Sequence, residues 1–80
     1  MHGLSITQEL VDSVCAQAKE NQLNTVTKIH VDLGNGSHIS EDELRFCFQL
    51  VGEGTIVSEA ELEIGTTSGD ALTLTSFTGE

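Results

Sequence analysis

Thr25-Val26-Thr27-Lys28-Ile29-His30-Val31-Asp32-Leu33 is the stretch on which the fold turns. Ile29, Val31 and Leu33 alternate with Lys28, His30 and Asp32, and β-branched residues fill much of the rest. Alternation at a period of two places apolar side chains on one side of an extended chain and charged ones on the other, which predicts a strand with a single buried face. Such a face needs an apolar layer over it, and the segments on either side provide one.

On the N-terminal side, Leu10, Val11, Val14, Cys15 and Ala18 recur at helical spacing behind Ser5 and Gln8, which have capping-box separation. The pattern predicts a helix from about Ser5 to Asn21, with Lys19 near its negative end, and Asn21 to Asn24 as a connector. On the other side, Gly34-Asn35-Gly36-Ser37-His38 reads as a polar, flexible loop. Ser40 and Glu43 make a second capping pair, and Glu41 and Asp42 add negative charge to the first turn of a second helix. Leu44, Cys47, Phe48 and Val51 form its apolar stripe, which Phe46 and Leu50 widen, and Gly52 and Gly54 end it. Leu62 and Ile64 alternate with Glu61 and Glu63 in a second strand. Beyond the turn-forming residues 65–70 comes a third strand around Leu72 and Leu74.

The element order is therefore α-β-α-β-β in one domain, residues 1–80. The expected architecture is an α+β two-layer sandwich, with two helices on one face of a three-stranded mixed sheet. The first strand, second helix and second strand fit a right-handed crossover, and the last two strands a hairpin.

Composition narrows the function. Three basic residues against thirteen acidic ones, a net charge of −10, cannot neutralise a run of phosphates, so nucleic acid is not an expected partner. The same charge disfavours anionic membranes, and no apolar run approaches the length of a membrane span. No cationic stretch followed by an apolar segment marks a secretory signal, which makes the cytoplasm the expected location. Cys15 and Cys47 fall on apolar helix faces and read as buried, reduced thiols, and there is no Cys-x-x-Cys pair. Phosphate loops, dinucleotide glycine fingerprints and nucleophile elbows are absent, and catalysis is not expected.

One pair of residues carries chemistry. Met1 and His2 place an α-amine, a backbone amide and an imidazole side by side, donors that can close fused chelate rings around a metal tolerant of planar nitrogen ligation. Nickel(II) and copper(II) have that preference. The amine, with a pKa of about 8, and the imidazole, at about 6.5, must both lose protons to bind, so affinity should rise steeply across neutral pH. Read alone, the pair is a weak signal, because many chains begin Met-His by chance and a start whose histidine does nothing is the commoner outcome. His38 could complete a site if its loop approached the terminus, although an exposed loop histidine is the commoner outcome; His30 stands on the polar side of a strand.

Several stretches in order resemble the HypA/HybF family of hydrogenase nickel-insertion proteins. They are Met1-His2 before the first helix, Val31-Asp32-Leu33-Gly34 closing the first strand, and Leu44-Arg45-Phe46-Cys47-Phe48. Gly54-Thr55-Ile56, Ala60-Glu61-Leu62-Glu63-Ile64 and the terminal run from Gly69 to Ser76 follow. The resemblance implies a small metallochaperone that holds Ni(II) through its amino-terminal Met-His segment and passes it to a [NiFe]-hydrogenase large subunit. It further implies a maturation GTPase as partner and, for some members, urease maturation factors.

Mapped onto this chain, the implied metal site is Met1, His2 and Gly3. The family pattern has Glu at the third position, and Gly3 offers only its backbone. Asn35 and Ser40 stand where acidic residues are common, so a differently tuned site is expected. The resemblance also brings a zinc module with two Cys-x-x-Cys pairs between the last two strands. Here Ile64 leads to Ala71 through a short turn without cysteine, so no zinc is expected and a hairpin would close the gap. Two further expectations follow. One is a partner-docking or regulatory module of the maturation machinery without metal delivery. The other is a strand-swapped homodimer, in which the segment around Leu72 and Leu74 pairs with another copy.

Overall fold

The protein was studied as a computed structural model that describes the backbone of residues 2–80 and side chains from residue 3 onward. Its elements are α1 (His2–Glu20), β1 (Val26–Gly34), α2 (Glu41–Gly52), β2 (Glu61–Thr67) and β3 (Leu72–Gly79). The α-β-α-β-β order and the α+β class expected from the pattern are those observed.

The first helix begins earlier than Ser5. It runs from His2, so Ser5 is an interior residue and not a cap. The apolar stripe explains the extension: Gly3, Thr7, Leu10, Val11, Val14 and Ala18 are all buried and lie along one side of α1. Thr7 is the one buried polar side chain among the described residues, and its hydroxyl donates to the Gly3 carbonyl at 2.6 Å. The helix ends where Gln22 adopts a left-handed backbone with φ of 60°. The amides of Gln22 and Leu23 then donate to the carbonyls of Lys19 and Ala18, at 3.1 and 2.9 Å. These are the two bonds of a Schellman stop, made here without glycine.

For α2 the expected cap is present: the Ser40 side chain accepts from the Glu43 amide at 3.1 Å, ahead of three acidic residues in the first turn. Leu44, Cys47 and Phe48 are buried on its inner side. Phe46 and Leu50, expected to widen the apolar stripe, instead face solvent and are 59% and 50% exposed. Their positions fall outside the arc that the packed residues occupy. Val57, in the connection to β2, and Ile39, before α2, are core residues without a periodic pattern to announce them.

The sheet order is β2-β1-β3, with β1 parallel to β2 and antiparallel to β3. The expected β2–β3 hairpin does not form. Strand β1 has the most buried residues, Val26, Ile29, Val31 and Leu33, and takes the central place, leaving the two weaker strands as edges. Strand β2 runs on to Thr67, because its parallel pairing continues to Gly34 opposite Thr67. Residues 68–71 then cross the end of β1 to begin β3.

That crossing gives the Gly34–Gly36 loop its meaning. The amides of Gly34, Asn35 and Gly36 donate to the carbonyls of Ala71, Thr67 and Gly69 at 2.8–2.9 Å. A Cβ on Gly34 would lie 2.6 Å from the Gly69 carbonyl oxygen, so only glycine lets the two backbones approach this closely. Two irregularities, near Thr27 on β1 and Thr75 on β3, shift the register and bring Val26 and Phe77 round to the packed side. Both helices contribute to the same apolar cluster as Ile29, Val31 and Leu33, so one sheet face is covered.

Candidate functional site

The start of α1 rests against α2, and Gly3 is the contact. A Cβ built on Gly3 would lie 2.9 Å from Oε2 of Glu43 and 3.3 Å from Sγ of Cys47. Glu43 and Cys47 are four residues apart, so they occupy one side of α2 and present a carboxylate and a thiol to the first turn of α1. Cys47 is fully buried, whereas Glu43 is half-buried. Among the described residues the Glu43 carboxylate takes part in no side-chain hydrogen bond or ion pair. Its negative charge does lie by the positive end of α1, where an anion is stabilised.

Of the three residues expected to bind metal, Gly3 is placed by the structure, buried against α2. Met1 and the His2 side chain lie outside the described residues; the His2 backbone opens α1. His38 is exposed in its loop. Among the described residues no group of three or more His, Cys, Asp or Glu side chains is gathered closely enough to hold a metal ion. Sequence reasoning treated Glu43 only as half of a capping box. The signal that could have singled it out is its separation from Cys47 by one helical turn, on the side of α2 that packs.

The uncovered face of the sheet holds the other cluster of ionisable groups. His30 Nδ1 lies 3.4 Å from Glu63 Oε1, and His30 Nε2 lies 3.8 Å from Asp32 Oδ1. Lys28 Nζ stands 3.5 Å from both Glu61 and Glu63. The hydrogen bond from His30, followed by the charge of Lys28, holds the Glu63 carboxyl below the usual carboxylate value. Glu63 and Glu61 together raise the Lys28 ammonium. These pairs are open to water, where such interactions contribute little to stability.

The two cysteines are unpaired with each other. Cys47 is buried as expected, but Cys15 is only partly so. Burial nonetheless pushes the Cys15 thiol up, against a lowering hydrogen bond with Thr55. That is the opposite of what an activated nucleophile requires. Among the described residues no helix is long and apolar enough to cross a membrane.

Comparison with known proteins follows the same lines. Residues 1–73 match the family described as "Hydrogenase/urease nickel incorporation, metallochaperone, hypA". The hydrogenase maturation factor HypA of Rhizobium leguminosarum bv. viciae is 34% identical over 70 residues, covering 88% of this chain and 62% of the relative. That of Archaeoglobus fulgidus is 36% identical over 70 residues, covering 88% and 64%. This chain thus spans less than two thirds of the length of these relatives.

Two solution structures share the fold. One, of a HypA protein, superposes with a TM-score of 0.81 at 18% identity, over 100% of this chain and 97% of that one. The Ni metallochaperone HypA from Helicobacter pylori gives 0.69 at 20% identity, over 91% and 69%. With the family match running from the Met-His start through both helices and the first two strands into β3, the chain belongs to the HypA family.

Proposed function

We propose that this chain is a nickel-handling accessory domain of [NiFe]-hydrogenase maturation, binding Ni(II) through Met1 and His2, with Gly3 contributing only backbone. The observation that carries this reading is a family match that begins at residue 1 and so includes the Met-His pair. The pair's donors suit a planar nitrogen-rich site, and Gly3, the next residue, is buried against α2. Binding is transient capture: a partner replaces ligands and takes the ion on to the hydrogenase large subunit, in company with the maturation GTPase. No chemical step belongs to the chain itself, and the site involves no zinc. Residues 65–70, with their short link over β1, stand where the longer relatives would carry their zinc module.

The test is a nickel(II) titration of protein with a native amino terminus, beside His2→Ala and an N-terminally extended form. Calorimetry gives stoichiometry, and absorption reports planar geometry in a chain without Trp or Tyr. One equivalent, lost in both controls, is the expected result. Binding that is absent, or indifferent to both changes, would sink the site. The second reading, a docking module without metal delivery, then gains from the exposed Phe46 and Leu50 on α2, which leave apolar surface open for a protein partner.

A further inference from the structure

The two edges of the sheet are treated differently. On β2, the Arg45 guanidinium, held by Glu41 at 3.3 Å, donates to the Leu62 carbonyl at 2.8 Å, and Glu61 and Glu63 add charge. Charged side chains of this kind keep an edge from pairing with another chain. Strand β3, Leu72–Gly79, has no charged residue and no proline, and among the described residues its only strand neighbour is β1.

The backbone of β3 shows which residues turn to that open edge. The Ala71 carbonyl accepts from the Gly34 amide at 2.9 Å, the Thr78 carbonyl accepts from the Thr27 hydroxyl at 3.2 Å, and Glu80 exchanges two hydrogen bonds with Thr25. These residues face β1. Alternation along a strand then turns Leu72 and Leu74 outward from one end and Phe77 and Gly79 from the other. The irregularity at Thr75 absorbs the odd residue between the two sets. Outward-turned residues are therefore symmetric about the Thr75–Ser76 bond. So are the faces: Leu72, Leu74 and Phe77 pack towards the helices, whereas Thr73, Thr75, Ser76 and Thr78 are exposed.

We propose that β3 is a self-pairing edge, at which two copies of the chain join antiparallel about a twofold axis between Thr75 and Ser76. Two three-stranded sheets become one, and each β3 stays on its own β1, so no strand is exchanged. A twofold contact requires a surface complementary to itself. In this register Leu72 of one copy stands opposite Gly79 of the other, and Leu74 opposite Phe77, all with backbone turned to the junction. The cavity between Ser13 and Gln17 of α1 and the Leu74–Gly79 edge gives the incoming apolar side chains room. A bulge also bends its strand, so Leu74 with Phe77, next to the axis, is the tighter pair.

The experiment is sedimentation of the whole chain over a wide concentration range, with amide exchange at both extremes. Reversible dimerisation is expected. It should strengthen with salt, because Asp70 and Glu80, which flank β3, come together at each end of the junction. The Leu74 and Phe77 amides should gain protection as concentration rises. Thr73 stands opposite Thr78 of the other copy on the open face, which allows a test by sign. Thr73→Lys with Thr78→Lys, and Thr73→Glu with Thr78→Glu, should each weaken dimerisation by about 2–30-fold, the effect of two cross-strand pairs, although they move net charge in opposite directions. Thr73→Lys with Thr78→Glu should bind at least as well as the native chain. Equal weakening in all three variants, as a general effect on folding would give, overturns the register. A chain that stays monomeric, with free exchange at Leu74 and Phe77, overturns self-pairing and leaves the edge to a strand of another protein. A dimer in which those two amides still exchange freely is joined elsewhere, and also overturns the proposal.

Discussion

On the helix-covered side of β1, Ile29 and Val31 have no accessible surface, and Leu44 of α2 and Val57 of the following connection are as fully enclosed. On the other side, Lys28, His30 and Asp32 of the same strand stand among Glu61 and Glu63 in water. One nine-residue strand therefore carries two surfaces of opposite character. The lesson is that stability is concentrated on one of them. Burying an apolar side chain removes surface from water at about 25 cal/mol per Å², whereas ion pairs on a wet face are screened and contribute little.

The sharpest way to break that contrast is Ile29→Ala. It opens a cavity between sheet and helices, and we expect a loss of about 2–5 kcal/mol in denaturant unfolding. A loss well under that range would mean that the covered face is loosely packed. Gly34→Ala comes next. Its methyl group would meet the backbone of residues 69–71, with the Gly69 oxygen at 2.6 Å and the Ala71 nitrogen at 2.9 Å. Backbone cannot rotate away as a side chain can, so about 1–3 kcal/mol should be lost. Hydrogen exchange should rise at the amides of Gly34, Asn35 and Gly36. Unchanged exchange would show that the β2–β3 link does not cross β1 as described.

The smallest effect belongs to the open face. Near neutral pH, Glu63→Gln should leave the unfolding midpoint almost where it was. The pH dependence carries the information. Because the Glu63 carboxyl is held below its ordinary value in the folded chain, its contribution is present above about pH 4.3 and disappears as pH falls through the lowered folded value. Native and Glu63→Gln proteins should therefore converge in acid and in high salt. A difference that persists there would contradict the ion-pair account. Lys28 works in the other direction: its raised value makes its contribution complete below about pH 10.4, with loss as pH rises through the folded value.

Much of this architecture was legible residue by residue. The alternation of Ile29, Val31 and Leu33 marked the central strand. Ser40 announced the start of α2, and the Leu10 to Ala18 stripe marked α1. The misreadings have a common cause. Ser5 looked like a cap because its spacing to Gln8 is local, but the extension of α1 back to His2 belongs to the packing of Gly3 on α2 and the burial of Thr7, whose hydroxyl bonds back to Gly3. Phe46 and Leu50 looked like core because they are apolar, but α2 turns them outward. Met1 and His2 were singled out by donor chemistry alone, which needs no fold; Glu43 could not be, because its interest lies in a contact with Gly3.

The identity and order of the elements follow from patterns a few residues long, since periodicity and capping are settled by near neighbours. The placement of β3 is different in kind. From Leu72 and Leu74 alone a hairpin with β2 satisfies the same alternation. What selects β1 as partner is that a strand buried on one face gains ladder hydrogen bonds on both of its edges, and that Gly34 and Gly36 let the connection pass over its end. The meeting of Gly3 with Glu43 is likewise an outcome of two helices packing over one sheet. Neither contact leaves a trace in local spacing, because each is chosen by the burial of surfaces that come together only when the whole chain has folded.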